Sequence, residues 1–196
     1  MFPDSLENVI EGFRQFPGIG QKTARRLAFF ALKSDSFTIQ SFAKSLLDLT
    51  EKIKNCDKCF NITEQNICEI CKDNSRDKYI LCIVENSSDI SLIEQTGYKG
   101  QYHVLGGLLS PLDGIGPDDL KINSLIEKSN FLNEIIIATN PSVEGETTAL
   151  YIVNQLKESK IKVSRLARGL PSGGNLEYID ELTLLRSISE RVEIKS

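Results

Sequence analysis

The apolar positions change their period along the chain. Leu6, Val9, Ile10 and Phe13 fall at i, i+3, i+4 and i+7, the stripe of an amphipathic helix. Phe16-Pro-Gly-Ile-Gly20 interrupts it, with a proline to end the helix and two glycines to permit a tight turn. Ala24, Leu27, Ala28 and Ala31 then mark a second helix. A third runs over about Thr38–Lys54 with Ile39, Phe42, Leu46, Leu49 and Ile53, and reads as core and connector. From Tyr79 the pattern becomes short, nearly continuous apolar runs, YILCIVE (79–85) and EIIIAT (134–139). Runs of this kind suit strands buried on both faces, as in a parallel sheet. Weaker strands are expected at Tyr102–Leu105 and Lys162–Leu166, and helices at about Asp89–Gln95, Asp119–Lys128 and Gly145–Glu158. Strand and helix alternate, so this part predicts a doubly wound α/β domain. The whole chain reads as an α/β, multidomain (α+β) protein.

Between these two parts the apolar residues are few, chiefly Phe60, Ile62, Ile67 and Ile70. Such a segment cannot fold on a core of its own. It carries instead Cys56, Cys59, Cys68 and Cys71, spaced C-x2-C-x8-C-x2-C. Each C-x2-C turn points two thiolates at one ion, and two turns complete a four-sulfur cage. The spacing predicts one structural Zn2+ per chain. Four thiolates leave no open position for water, which argues against a catalytic zinc. Two disulfides are the other reading of these pairs. The knuckle spacing and the acidic N-terminus, unlike a secretion signal, favour the metal. Cys82, inside YILCIVE, reads as a buried strand residue.

Composition is ordinary for a soluble protein, with no run long enough to span a membrane, and a cytoplasmic location is expected. The net charge of −4 is unevenly spread: residues 1–55 carry +2 and the remainder −6. From Gly12 to Ser34 there are five cations and no acid. Lys22, Arg25 and Arg26 fall near the start of the second helix, where the macrodipole disfavours cations. A phosphate held by the turn amides at Gly18 and Gly20 resolves that conflict. FPGIGQKTARRLA closely resembles the helix-hairpin-helix motif, which implies contacts to nucleic-acid backbone without sequence preference. Gly114-Ile-Gly-Pro117 repeats part of this pattern, but Asp118 and Asp119 follow and would repel an anion. His103, the only histidine, has no nucleophile paired with it and reads as structural or surface. Gly106–Pro117 reads as a flexible loop at a sheet edge or subunit contact. Neither it nor Gly169–Gly174 carries a nucleotide-loop pattern.

The α/β part resembles the Toprim domain of topoisomerases and primases. That family ends its first strand with a glutamate, matched by Glu85, and a later strand with Asp-x-Asp. The pair is replaced here by Asn140-x-Ser142. An amide and a hydroxyl are weak ligands for Mg2+, and Glu144 and Glu146 lie further on. The expected reading is a Toprim scaffold without its chemistry.

FPGIGQKTARRLAF, the four-cysteine run, VLGGLLSPLDGIGPDDL, IIIATNPSVEGETTALYI and LARGLPSGGNLEYID together resemble the RecR family of bacterial recombination mediators, from about Leu6 to Glu193. The resemblance implies a non-catalytic DNA-binding mediator of repair. Such proteins act with RecO and RecF to help load RecA on single-stranded DNA at gaps. It implies DNA contacts at Lys22 and Arg26, with zinc on the four cysteines. It also implies a partner surface at Glu85, Asn140, Ser142, Glu144 and Glu146, and a ring, commonly a homotetramer. The expected divisions are a hairpin domain at 1–54, a zinc finger at 55–75, a Toprim domain at 76–170, and a C-terminal helix and tail at 171–196 that serves assembly. The tail RVEIKS reads as a last short strand or an intersubunit arm. The reading from a different class is a Mg2+-dependent nuclease or primase-like enzyme using Glu85 and Glu144.

Overall fold

The computed structural model describes residues 2–167, 169–170 and 173–193. The chain divides into two compact units, residues 1–53 and 54–196.

The first unit contains three helices. Helix α1 (Asp4–Arg14) and helix α2 (Gln21–Lys33) pack on each other through Ile10, Ala24 and Ala28, with Phe2, Leu6, Phe13 and Ile19 around them. The two alanines let the helices approach closely. Helix α3 (Ser36–Lys52) starts at Asp35, whose carboxylate accepts the Thr38 amide at 2.9 Å. The expectation that α3 is core does not hold, because none of its residues is buried. Phe37, Phe42, Leu46, Leu47 and Leu49 are all exposed. The stripe has helical spacing, but nothing within this unit covers it.

In the second unit, β1 (Lys54–Asn55) and β2 (Ile62–Thr63) form a short antiparallel ribbon, and the brief helix α4 (Glu69–Lys72) follows. The main sheet contains β3 (Ile80–Val84), β4 (Gln101–Val104), β5 (Glu134–Ile137) and β6 (Lys162–Arg165). All neighbours are parallel and the order is β4-β3-β5-β6. One face, with Leu81, Ile83, Ile135 and Ile137, packs against α6 (Ile122–Ser129) and α7 (Val143–Gln155) through Leu125, Ala149 and Ile152. The other face, with Cys82, Val84, Tyr102 and Val104, is covered by Ile90 and Ile93 of α5 (Ser87–Glu94) and by Phe60 and Ile70 of the cysteine segment. Apolar side chains on both faces explain the unbroken apolar runs of β3 and β5. Cys82 is buried in β3, as expected.

Arg76 fixes the exit from the cysteine segment. Its guanidinium bonds both carboxylate oxygens of Glu94 and the Gly100 carbonyl, and Tyr102 donates to the same carboxylate at 2.7 Å. The Arg76 guanidinium holds the Glu94 carboxyl below the ordinary carboxylate range.

The Gly106–Pro117 segment is anchored, contrary to the flexible loop expected. Leu109 enters the main core with Ile115 packed against it, and the Leu109 amide donates to Thr148 Oγ1 at 2.9 Å. The Asp119 carboxylate accepts the Gly116 amide at 2.8 Å, so one of the acids after Gly114-Ile-Gly-Pro117 caps its own turn. Helix α8 (Glu181–Ser189) closes the described chain with Leu182, Leu185 and Ile188 exposed. Residues 191–193 of the tail form no strand, and 194–196 lie outside the described residues, as do 171 and 172 of the glycine-rich loop before α8.

Candidate metal centre and nucleic-acid interface

The cysteine segment brings four sulfurs together. The Sγ atoms of Cys56, Cys59, Cys68 and Cys71 all lie within 4.8 Å of one another, and three of these residues are buried. Thiolates around one tetrahedral zinc at about 2.3 Å must sit close to this spacing. The cysteines are free thiols and not disulfides. The two turns are joined by hydrogen bonds: the Asp57 amide donates to the Asn66 carbonyl at 2.9 Å, and the Cys68 amide donates to Cys56 Sγ at 3.3 Å. Burial opposes ionisation of Cys56, but amide hydrogen bonds outweigh it and bring its thiol down to about 7. Burial pushes Cys68 up to about 11. Cys59 is raised further by its hydrogen bond to Cys71 and then by burial. The ion therefore displaces protons from a packed thiol cluster, which couples metal uptake to pH. The residues fit Zn2+, and zinc is the structural cofactor of this segment.

The cysteine turns meet the sheet at β4. The Cys59 carbonyl accepts the Val104 amide at 2.9 Å. His103, fully buried beside Val104, packs edge-on against Phe60 with ring centroids 5.3 Å apart. Burial, and then the Lys128 charge, hold His103 down to about 4, so its ring is neutral. It is a structural histidine. The sequence shows Phe60 as an apolar residue of this segment but not its contact with Lys128. The one signal for Phe60 was its place directly after a Cys-x2-Cys pair, where the chain must reverse.

At the hairpin, Gly18 takes φ +78° and the Ile19 amide closes on the Phe16 carbonyl at 3.2 Å. Only glycine adopts this conformation cheaply. Gly20 is the N-cap of α2 and supplies no side-chain cap, so the first α2 amides are left to a ligand or solvent. Lys22, Arg25 and Arg26 are exposed. None forms an ion pair among the described residues. The Arg25 guanidinium lies over the Phe2 ring at 5.6 Å.

At the carboxyl ends of β3 and β5, where the strand order reverses, Glu85 and Asn140 face each other. Asn140 Nδ2 donates to Glu85 Oε2 at 3.0 Å. Ser142 is the N-cap of α7 and accepts the Gly145 amide at 3.1 Å. A Cβ on Gly145 would lie 1.9 Å from the Asn140 carbonyl oxygen, so this glycine sets how closely α7 meets the strand end. Glu146 forms a two-pronged pair with Arg165 at 2.6 and 2.9 Å, a partner that the sequence reading missed. Glu144 is exposed. Among the described residues the cysteines form the one cluster of metal-binding side chains. Glu85, Glu144 and Glu146 do not form a second.

These sites coincide with the segments matched by known families. A profile for the RecR helix-hairpin-helix matches residues 6–50, and one for the RecR four-cysteine zinc finger domain matches 53–73. A Toprim domain profile matches 80–167, and one for the RecR C-terminal segment matches 169–192. Proteins named "Recombination protein RecR" from Staphylococcus aureus strains JH9 and Mu50 are each 47% identical over 196 residues, covering 98% of this chain and 99% of theirs. This chain belongs to the RecR family. Within a RecR-type chain, the uncapped, cation-bearing turn is the helix-hairpin-helix. The four-sulfur cluster is the zinc finger, and the Glu85–Asn140 corner is the Toprim strand-end site. No described helix is long and apolar enough to cross a membrane.

Proposed function

We propose that this protein is a non-catalytic DNA-binding mediator of recombination and repair. The observation that carries the reading is the start of α2, where exposed Lys22, Arg25 and Arg26 surround amides with no side-chain cap. Exposed cations and uncapped amides at one helix end suit a phosphate, on single- or double-stranded DNA and without regard to base sequence. Lys22 and Arg26 contact the backbone, Arg25 adds charge, and Gly18 and Gly20 let the chain approach closely. One such motif makes few phosphate contacts. A homotetrameric ring presenting several gains affinity through avidity.

The Toprim corner serves partner docking in this reading. Glu85 is occupied by Asn140 and Glu146 by Arg165, which leaves a poor set of ligands for a catalytic Mg2+. The acidic surface of Glu85, Glu144 and Glu146, with Asn140 and Ser142 shaping it, suits a basic partner such as RecO, with RecF acting alongside, in helping to load RecA on single-stranded DNA at gaps. The protein acts in the cytoplasm, at the nucleoid during repair.

The test is DNA binding against salt with Mg2+ present, comparing the native protein with Lys22→Glu/Arg26→Glu. Salt-sensitive binding that is lost in the variant, with the DNA intact, supports the reading. DNA cleavage or synthesis abolished by Glu85→Gln replaces it with a Mg2+-dependent Toprim enzyme.

A further inference from the structure

Lys128 lies on α6, far along the chain from the cysteines, yet its Nζ donates to the Lys58 carbonyl inside the first Cys-x2-Cys turn. The same Nζ sits 3.4 Å from His103 Nδ1 and 5.0 Å from the centroid of the Phe60 ring. Lys128, Cys59 and Cys71 line one cavity of about 360 Å3.

Each of these neighbours is set up to accept a cation. His103 Nε2 lies 2.8 Å from the Lys121 carbonyl, an acceptor, so Nε2 carries the proton and Nδ1 offers its lone pair to Lys128. Phe60 takes φ +63°, a conformation uncommon for an aromatic residue, and its ring face receives two ammonium groups, Lys128 at 5.0 Å and Lys121 at 5.6 Å from the centroid. A ring face, an imidazole lone pair and a carbonyl thus converge on one side chain. Hydrogen bonding alone does not call for a lysine here, since a neutral donor would satisfy the Lys58 carbonyl. The adjacent metal centre supplies the reason for a charge. Four thiolates on one Zn2+ leave net negative charge in a largely buried site, where Coulomb interactions are stronger than in water.

We propose that Lys128 is the fixed countercharge of the zinc–tetrathiolate centre. Because α6 supplies it, metal binding and the packing of the finger on the Toprim sheet stabilise each other. Lys128 is a positioning residue and touches no reacting atom. The idea rests on zinc at the four cysteines and is independent of the proposed DNA contacts.

The experiment is competition for zinc between the folded full-length protein and a chromogenic chelator. It compares native protein with Lys128→Met, Lys128→Gln and Lys128→Arg. Glutamine keeps a donor for the Lys58 carbonyl and drops the charge, whereas arginine keeps the charge. Zinc affinity is expected to fall by about tenfold to a hundredfold in the Met and Gln forms, a typical cost of losing a partner around a metal's ligands. The Arg form should stay close to native. An unchanged affinity in Lys128→Gln, or a loss in Lys128→Arg as large as that in Lys128→Gln, overturns the proposal. Should Lys128→Met fail to fold, the Gln and Arg pair still decides between charge and hydrogen bond. A native chain that takes up no zinc overturns the countercharge and the cofactor together, and leaves the DNA reading standing.

Discussion

At the start of α2, three cations stand in solvent with no acid beside them. At the carboxyl ends of β3 and β5, two of the three acids are engaged, Glu85 by the Asn140 amide and Glu146 by the Arg165 guanidinium. The residue types at both places could bind an ion. What separates them is whether the fold itself has satisfied the charge. An unsatisfied cation keeps its electrostatic free energy for an incoming phosphate. An acid already bonded within the fold holds a partner that a metal would first have to displace. The comparison teaches that charged residues can stand open to a ligand at one place and already hold a partner from their own chain at another.

The strongest way to break the comparison is to remove the metal. Cys56→Ala/Cys59→Ala should abolish bound zinc, as read by elemental analysis. It should also destabilise the second unit by several kcal/mol, because the binding free energy of a structural zinc is folding free energy. The helical unit, with the DNA contacts proposed for it, should be spared. A fall in DNA affinity that tracks the fall in zinc would mean that the two sites are not independent.

Reversing both hairpin charges, Lys22→Glu/Arg26→Glu, should weaken DNA binding about a hundredfold. It should also lower the slope of log affinity against log salt by about 2, roughly 0.9 for each phosphate that is no longer neutralised. An unaltered slope would remove the hairpin from the interface. Gly145→Ala drives a Cβ toward the Asn140 carbonyl and should cost about 1–3 kcal/mol by chemical denaturation, as overpacking does, while DNA affinity holds. The smallest effect belongs to Arg165→Ala. The ion pair that it breaks is partly exposed, so stability should drop by less than about 1 kcal/mol. A larger loss would mean that the acidic corner depends on this pair more than its exposure suggests.

The sheet was legible because its local pattern and its burial agree. Leu81 and Ile83 pack on one face and Cys82 and Val84 on the other, which is what an unbroken apolar run encodes. Helix starts were less legible. Helix α5 begins at Ser87, two residues ahead of the expected start, because the Asp89 carboxylate accepts the Asn86 amide at 2.9 Å. Helix α6 begins at Ile122, later than expected, because Pro117–Asp119 forms a separate turn. Helix α7 begins at Val143, and Gly145, read as its first residue, lies inside it where a side chain could not fit. The stripe on α3 was read as core because spacing reports which face is apolar and not whether anything covers it. The zinc ligands were visible because they are close in sequence. The Lys128–Lys58 contact and the Arg165–Glu146 pair join positions far apart in the chain, and no local pattern announces them.

The bond between the Val104 amide and the Cys59 carbonyl has a consequence for a cell short of zinc. Strand β4 lies at the border of the sheet, and its outward backbone groups can template a strand from another molecule. The Cys59 carbonyl occupies one outward amide of that border, Val104. Once the metal is lost and the turn loosens, β4 becomes an open seam. Self-association of the metal-free protein along β4 is the expected consequence.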